Sequence, residues 1–160
     1  MQKHDDEEIT VGEFVEMVWG LRAGCGGATL GEVASASLTQ SELLRYGHFR
    51  GWLEDSDERH PESLLNRQIA ARIIHQFMVV ELHVPDLAEI SAAEKLRDLY
   101  TCRVCANHIA QVYARGIMGA EEVLPGDAAA TQSILIFNHL GRMSFNEAQK
   151  IISSIKKAML

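Results

Sequence analysis

The sharpest chemical cluster in the sequence is Cys102-x-x-Cys105-x-x-His108. At about 100° per residue on a helix, the three positions fall within about 120° of one another and give one stripe of ligands suited to zinc. A fourth ligand would have to come from Cys25 or another histidine, and the spacing selects neither. The competing reading makes Cys102 and Cys105 small buried apolar residues beside Leu99 and Ile109. Thiol redox chemistry would want the pair at a helix N-terminus after a strand, and no strand pattern precedes it. Arg67 is the second candidate, because it opens a helix behind Asn66, where unpaired N–H groups and a guanidinium would converge on one carboxylate. Trp52 offers a flat apolar face on which a sugar ring could stack. The alternatives are an Arg67 pair with Asp55, Asp57 or Glu58, and Trp52 as a core-edge residue.

The remaining chemistry-bearing residues form no recognisable constellation. His4, His48, His60, His75, His83 and His139 are scattered, and no Ser or Cys stands with a base in triad fashion. Gly24-Cys25-Gly26-Gly27 lacks the following Lys of a phosphate loop. The expectation is therefore a protein without enzymatic activity, cofactor or resident metal.

These residues depend on a helical framework. Thr10 and Glu13 form a capping-box signature, and Ile9, Phe14, Val15, Val18 and Leu21 repeat at helical spacing, which predicts a helix from about Thr10 to Leu21. Ala23 to Gly27 reads as a loop. Thr39 and Glu42 cap a two-turn helix that Gly47 should end. His48 to Leu53 and the acidic Glu54 to Glu58 then read as a loop with one short extended piece. Asn66 caps a helix carrying Ile69, Ile73, Ile74 and Phe77 on one face. One or two helices follow from Ser91 to Gly116, then a loop over 120–133. Ser144 and Glu147 open a final helix through Ile155. The fold class expected is mostly α, with little or no β.

Composition narrows the function further. The chain has 160 residues, 47% of them apolar and 23% charged, which is the balance of an ordinary folded domain. Twenty-two acidic against 15 basic residues give a formal charge of −7, so the basic footprint of a nucleic-acid binder is missing. No apolar run reaches the roughly 20 residues that cross a bilayer. Met1 to Glu8 is acidic, unlike a secretory signal. The expected location is cytoplasmic if Met1 is the native start and the cell surface if a signal has been removed. Cys25, Cys102 and Cys105 make no disulfide framework, and at least one thiol is free in a lone chain.

Three segments share one frame, an apolar residue followed by a cap and a helix: Ile9-Thr10, Leu65-Asn66 and Met143-Ser144. Ahead of the second and third lies a helix ending in spaced glycines, Gly47 with Gly51 and Gly116 with Gly119. This unit resembles the S-layer homology repeat, in which an Asp, a first helix, a Gly-Ile turn and a loop precede a Thr-Arg-Ala-Glu-like second helix. The resemblance divides a single domain into a half unit at 9–22, a second unit at 33–82 and a third at 92–158. Asp98, Gly116 and Ile117 fit the third unit's first helix. The resemblance implies helical repeats packed around a pseudo-threefold axis and a non-catalytic module attaching to an anionic cell-wall polysaccharide. Asn66, Arg67, Gly51 and Trp52 would line the one intact groove, because Val11 and Phe145 stand where the family's Arg belongs. A cytoplasmic protein-interaction adaptor with lost sugar sites, or a small zinc or thiol protein, are the alternatives. The missing first helix would leave an apolar groove for a second copy of the chain, a homo-oligomer.

Overall fold

In a computed structural model, the structure describes residues 4–24, 38–124 and 133–159. Six α-helices make up most of the described chain: α1 (Val11–Gly24), α2 (Gln40–Arg50), α3 (Asp55–Arg59), α4 (Arg67–Val80), α5 (Ala106–Ala114) and α6 (Phe145–Met159). The molecule is mostly α, as its periodicity indicates. Strands β1 (Glu121–Val123) and β2 (Ile134–Ile136) form a small antiparallel ladder, with Glu122 opposite Leu135.

Caps fix where these helices begin. Thr10 and Glu13 exchange bonds, Glu13 N to Thr10 Oγ1 at 3.2 Å and Thr10 N to Glu13 Oε1 at 3.1 Å. Thr39 and Glu42 repeat the device for α2, and the Asn66 side chain accepts from Ile69 N at 2.8 Å. Helix α2 runs past Gly47 to Arg50, and Gly51, at φ 91°, is its left-handed cap. Gly47 serves a different end: a Cβ there would meet Leu53 Cδ1 at 2.5 Å, so the glycine admits the returning chain against the helix. The acidic loop forms α3 instead of an extended piece, since Glu54 and Asp57 make a reciprocal cap. The glycine-rich loop at 23–27 is helical at its first two positions, and the rest of it lies outside the described residues.

The turns after α2 and α5 are alike. Trp52 N and Leu53 N both donate to Gly47 O, as Ile117 N and Met118 N do to Val112 O. Gly51 (φ 91°) therefore corresponds to Gly116 (φ 74°), which shifts the glycine frame read from the sequence by one helical turn. The apolar pairs behind them, Trp52-Leu53 and Ile117-Met118, are buried.

Ile9, Leu65 and Met143 are fully buried and joined in a closed ring of backbone hydrogen bonds. Ile9 N donates to Met143 O at 3.1 Å, Met143 N to Leu65 O at 3.3 Å, and Leu65 N to Ile9 O at 2.9 Å. Two further sets close the same three segments in the reverse cyclic direction. Val11 N, Arg67 N and Phe145 N donate to Ser63, Gly141 and Glu7 carbonyls; Gly12 N, Gln68 N and Asn146 N donate to Pro61, His139 and Asp5. The first N–H groups of a helix have no partner within it, and here the segment preceding another helix satisfies them. Phe14, Val18, Ile73, Phe77, Ile109 and Ile155 belong to the single apolar cluster that these helices enclose.

Candidate functional sites

Arg67 stands at the start of α4, yet its bonds point inward. Nε donates to Phe137 O at 2.8 Å and Nη2 to Gly119 O at 2.5 Å, while the guanidinium carbon lies 4.6 Å above the Phe137 ring. Burial lowers its pKa, opposed by the charges of Glu147, Glu121 and Asp98. The N–H groups expected to receive an anion beside it are occupied, Arg67 N by Gly141 O, Gln68 N by His139 O and Ile69 N by the Asn66 side chain. Arg67 and Asn66 hold the structure together at this point. The alternative partner also differs: Arg72, not Arg67, binds Asp57, through Nη1 at 2.7 Å and Nη2 at 2.8 Å. Burial works against the Arg72 charge, but the Asp57 bonds and the nearby carboxylates outweigh it and raise the pKa.

Trp52 is 1% exposed and cannot offer its face to a sugar. It stacks on Trp19 at 6.4 Å and meets Phe77 edge-on at 5.0 Å. Phe77 lies ten residues beyond Arg67, about 15 Å along α4, so Gly51 and Trp52 do not share a groove with Asn66 and Arg67. Asp98 is the residue before the 3₁₀ turn Leu99–Thr101 but makes no side-chain capping bond to it; its carboxylate accepts from Phe137 N at 2.7 Å and Asn138 N at 2.8 Å.

A groove of about 270 Å³ opens beside Arg67, bounded by Gly119, Glu121, Glu147, Lys150 and Ser154. Two cations and two carboxylates thus share one mouth. Lys150 is exposed there on α6.

A second groove, about 340 Å³, lies between α3, α4 and α5 and is lined by Glu54, Gln68, Arg72, Cys102, Cys105 and His108. Cys102 and Cys105 are joined in a disulfide, so they present no thiolates to a metal. In place of the one or two helices expected from Ser91 to Gly116, the chain forms two 3₁₀ turns, Ser91–Lys95 and Leu99–Thr101, followed by α5. Cys105 is the residue before α5 and Cys102 lies outside it, so the single helical stripe does not form. His108 points to a different partner: its Nδ1 is 2.7 Å from His75 Nδ1, and His75 Nε2 is 2.7 Å from Asp86 Oδ1. Burial, with the charges of His75 and Arg72, pushes the His108 pKa down to about 4 against the pull of Asp86. The His75 hydrogen bond holds Asp86 below the usual carboxylate range, helped by Asn107.

This Asp86–His75–His108 chain was invisible to spacing, because its members come from α4, the connection after it and α5. The bonds of Gln111 to Leu87 and of Arg115 to Pro85 O fix that connection on α5. Among the described residues, no group of three His, Cys, Asp or Glu side chains is disposed to hold a metal ion, and no helix is long and apolar enough to cross a membrane. No family model matches the chain, and no curated protein or solved structure shows significant similarity to it.

Proposed function

We propose that the chain is a non-catalytic scaffolding module resembling the S-layer homology domain, its three cap segments arranged about a pseudo-threefold axis. The cyclic closure of nine backbone hydrogen bonds at Ile9, Leu65, Met143 and the residues beside them carries this reading. Equivalent donors meet equivalent acceptors in all three positions, as repeated units would require. The likeness extends to the paired turns after α2 and α5.

The module holds protein partners rather than a wall polymer. Arg67 and the α4 N–H groups are committed internally, and Glu121 and Glu147 would repel an anionic saccharide at the one groove where Lys150 is exposed. Incubation with purified Gram-positive cell-wall sacculi tests this choice. The expected result is no more protein in the pellet than a non-binding control gives. Retention that the Lys150→Ala variant loses, with an unchanged melting curve, would instead make the Arg67–Lys150 groove a polysaccharide site. A chain that unfolds in separate steps, unit by unit, would count against one closed scaffold.

A further inference from the structure

We infer that the Cys102–Cys105 disulfide is a thiol–disulfide exchange site, attacked at Cys102, for a dithiol-bearing protein segment that docks over Tyr100 and Val104. The bond spans three residues of sequence and so restrains little of the unfolded chain, which makes it a poor staple. The two sulfurs differ in access: Cys105 is 8% exposed, whereas Cys102 is only partly buried. The bond forms part of the wall of a groove of about 340 Å³ rather than lying within the core. Tyr100 and Val104, on either side of Cys102 in sequence, are 66% and 84% exposed, apolar side chains left uncovered among the described residues.

The order of events follows from that asymmetry. A thiolate of the incoming dithiol attacks Cys102 Sγ; a bond forms between them, the Cys102–Cys105 bond breaks, and its electron pair stays on Cys105. Cys105 immediately precedes α5, whose first turn holds no acidic residue, so the thiolate is released beside the positive end of a helix. The partner's second thiolate then attacks its own sulfur in the mixed disulfide and releases Cys102. Two electrons and two protons pass from the dithiol to the cysteine pair, and the partner leaves as a disulfide. His108, one turn along α5 and on the same groove, is a nearby group able to exchange protons with the released thiols.

The experiment uses the full chain carrying Cys25→Ser, so that only this pair reports. Folded protein is mixed with dithiothreitol at neutral pH, quenched with acid and labelled with a maleimide that adds mass to each thiol. Reduction at least about tenfold faster than global unfolding in the same buffer is expected. Reduction no faster than unfolding would overturn the proposal. In single-cysteine proteins first converted to the glutathione mixed disulfide, dithiothreitol releases glutathione from Cys105→Ser, which carries it on Cys102, about tenfold faster than from Cys102→Ser. Equal or reversed rates would refute attack at Cys102, and the reduction measurement stands even if either variant fails to fold.

Discussion

Replacing Arg67 with Ala separates a structural role from a ligand-binding one. The substitution removes the donors to Phe137 O at 2.8 Å and Gly119 O at 2.5 Å, and the cation over the Phe137 ring. A hydrogen bond from a charged donor contributes about 1.5–3 kcal/mol, with the exposed Gly119 carbonyl at the low end because water replaces the lost donor. The ring contact adds about 0.5–1 kcal/mol. Part of this returns because the buried guanidinium no longer has to be desolvated, so the net loss is about 2–4 kcal/mol. For 160 residues, an unfolding entropy near 2.1 cal/mol/K per residue turns that into a melting temperature about 6–12 °C lower. Arg67→Lys keeps the charge but not the two-pronged geometry, and should fall between. Urea titration and thermal melting by far-UV circular dichroism measure both variants. If Arg67→Ala melts within about 2 °C of the parent, the inward bonds are not what Arg67 is for, and the anion-binding reading regains its footing.

Three other perturbations test separate parts of the molecule. His108 binds a proton less readily folded than unfolded, its pKa falling from 6.5 to about 4, so stability declines as pH drops through that window. The ceiling of about 1.4 kcal/mol per pKa unit is reduced by solvent screening at this half-buried ring, leaving roughly 1–2 kcal/mol. His108→Gln should flatten that part of the curve, and a variant with the parent's full slope would remove His108 from the account. Glu81→Gln breaks a pair whose members, Arg22 and Glu81, are 4% and 5% exposed and 2.8 Å apart, leaving Arg22 buried beside a neutral group. A loss of about 3–5 kcal/mol in denaturant unfolding is expected, and Arg22→Met with Glu81→Met should recover most of it. Replacing Cys102 and Cys105 together by Ser should cost no more than about 2 kcal/mol, the loop-closure value for a ring of about four residues. A larger loss would mean that the bond staples the fold after all.

The sequence shows helix starts because caps are local. Thr10 with Glu13, Thr39 with Glu42, and Asn66 each satisfy N–H groups within three residues, and each begins a helix in the structure. Helix ends were less legible: Gly47 and Gly51 are both glycines, but only their packing and torsions distinguish a helix interior pressed against Leu53 from a left-handed cap. The cysteine motif misled because periodicity continued an apolar pattern through Leu99 and Val104, whereas Val104 is exposed and the chain turns twice before α5. Arg67 misled more deeply. Its position at a helix start follows from the local cap, but the carbonyls it reaches lie 52 and 70 residues away, beyond any local pattern.

The same long-range closure explains where a site can and cannot form. Helix N-termini attract anions only while their N–H groups are unpaired. In α1, α4 and α6 the leading N–H groups donate to the segment that precedes another of these helices, so the point where three helix dipoles converge is consumed in assembly. The two grooves described above lie between elements instead: one between the start of α4, the turn at Gly119 and α6, the other between α3, α4 and the Cys102–His108 segment. The first is lined by charges of both signs. The second sets the disulfide, the exposed Val104 and His108 around one opening, and is the side of the molecule where the exchange chemistry inferred above would take place.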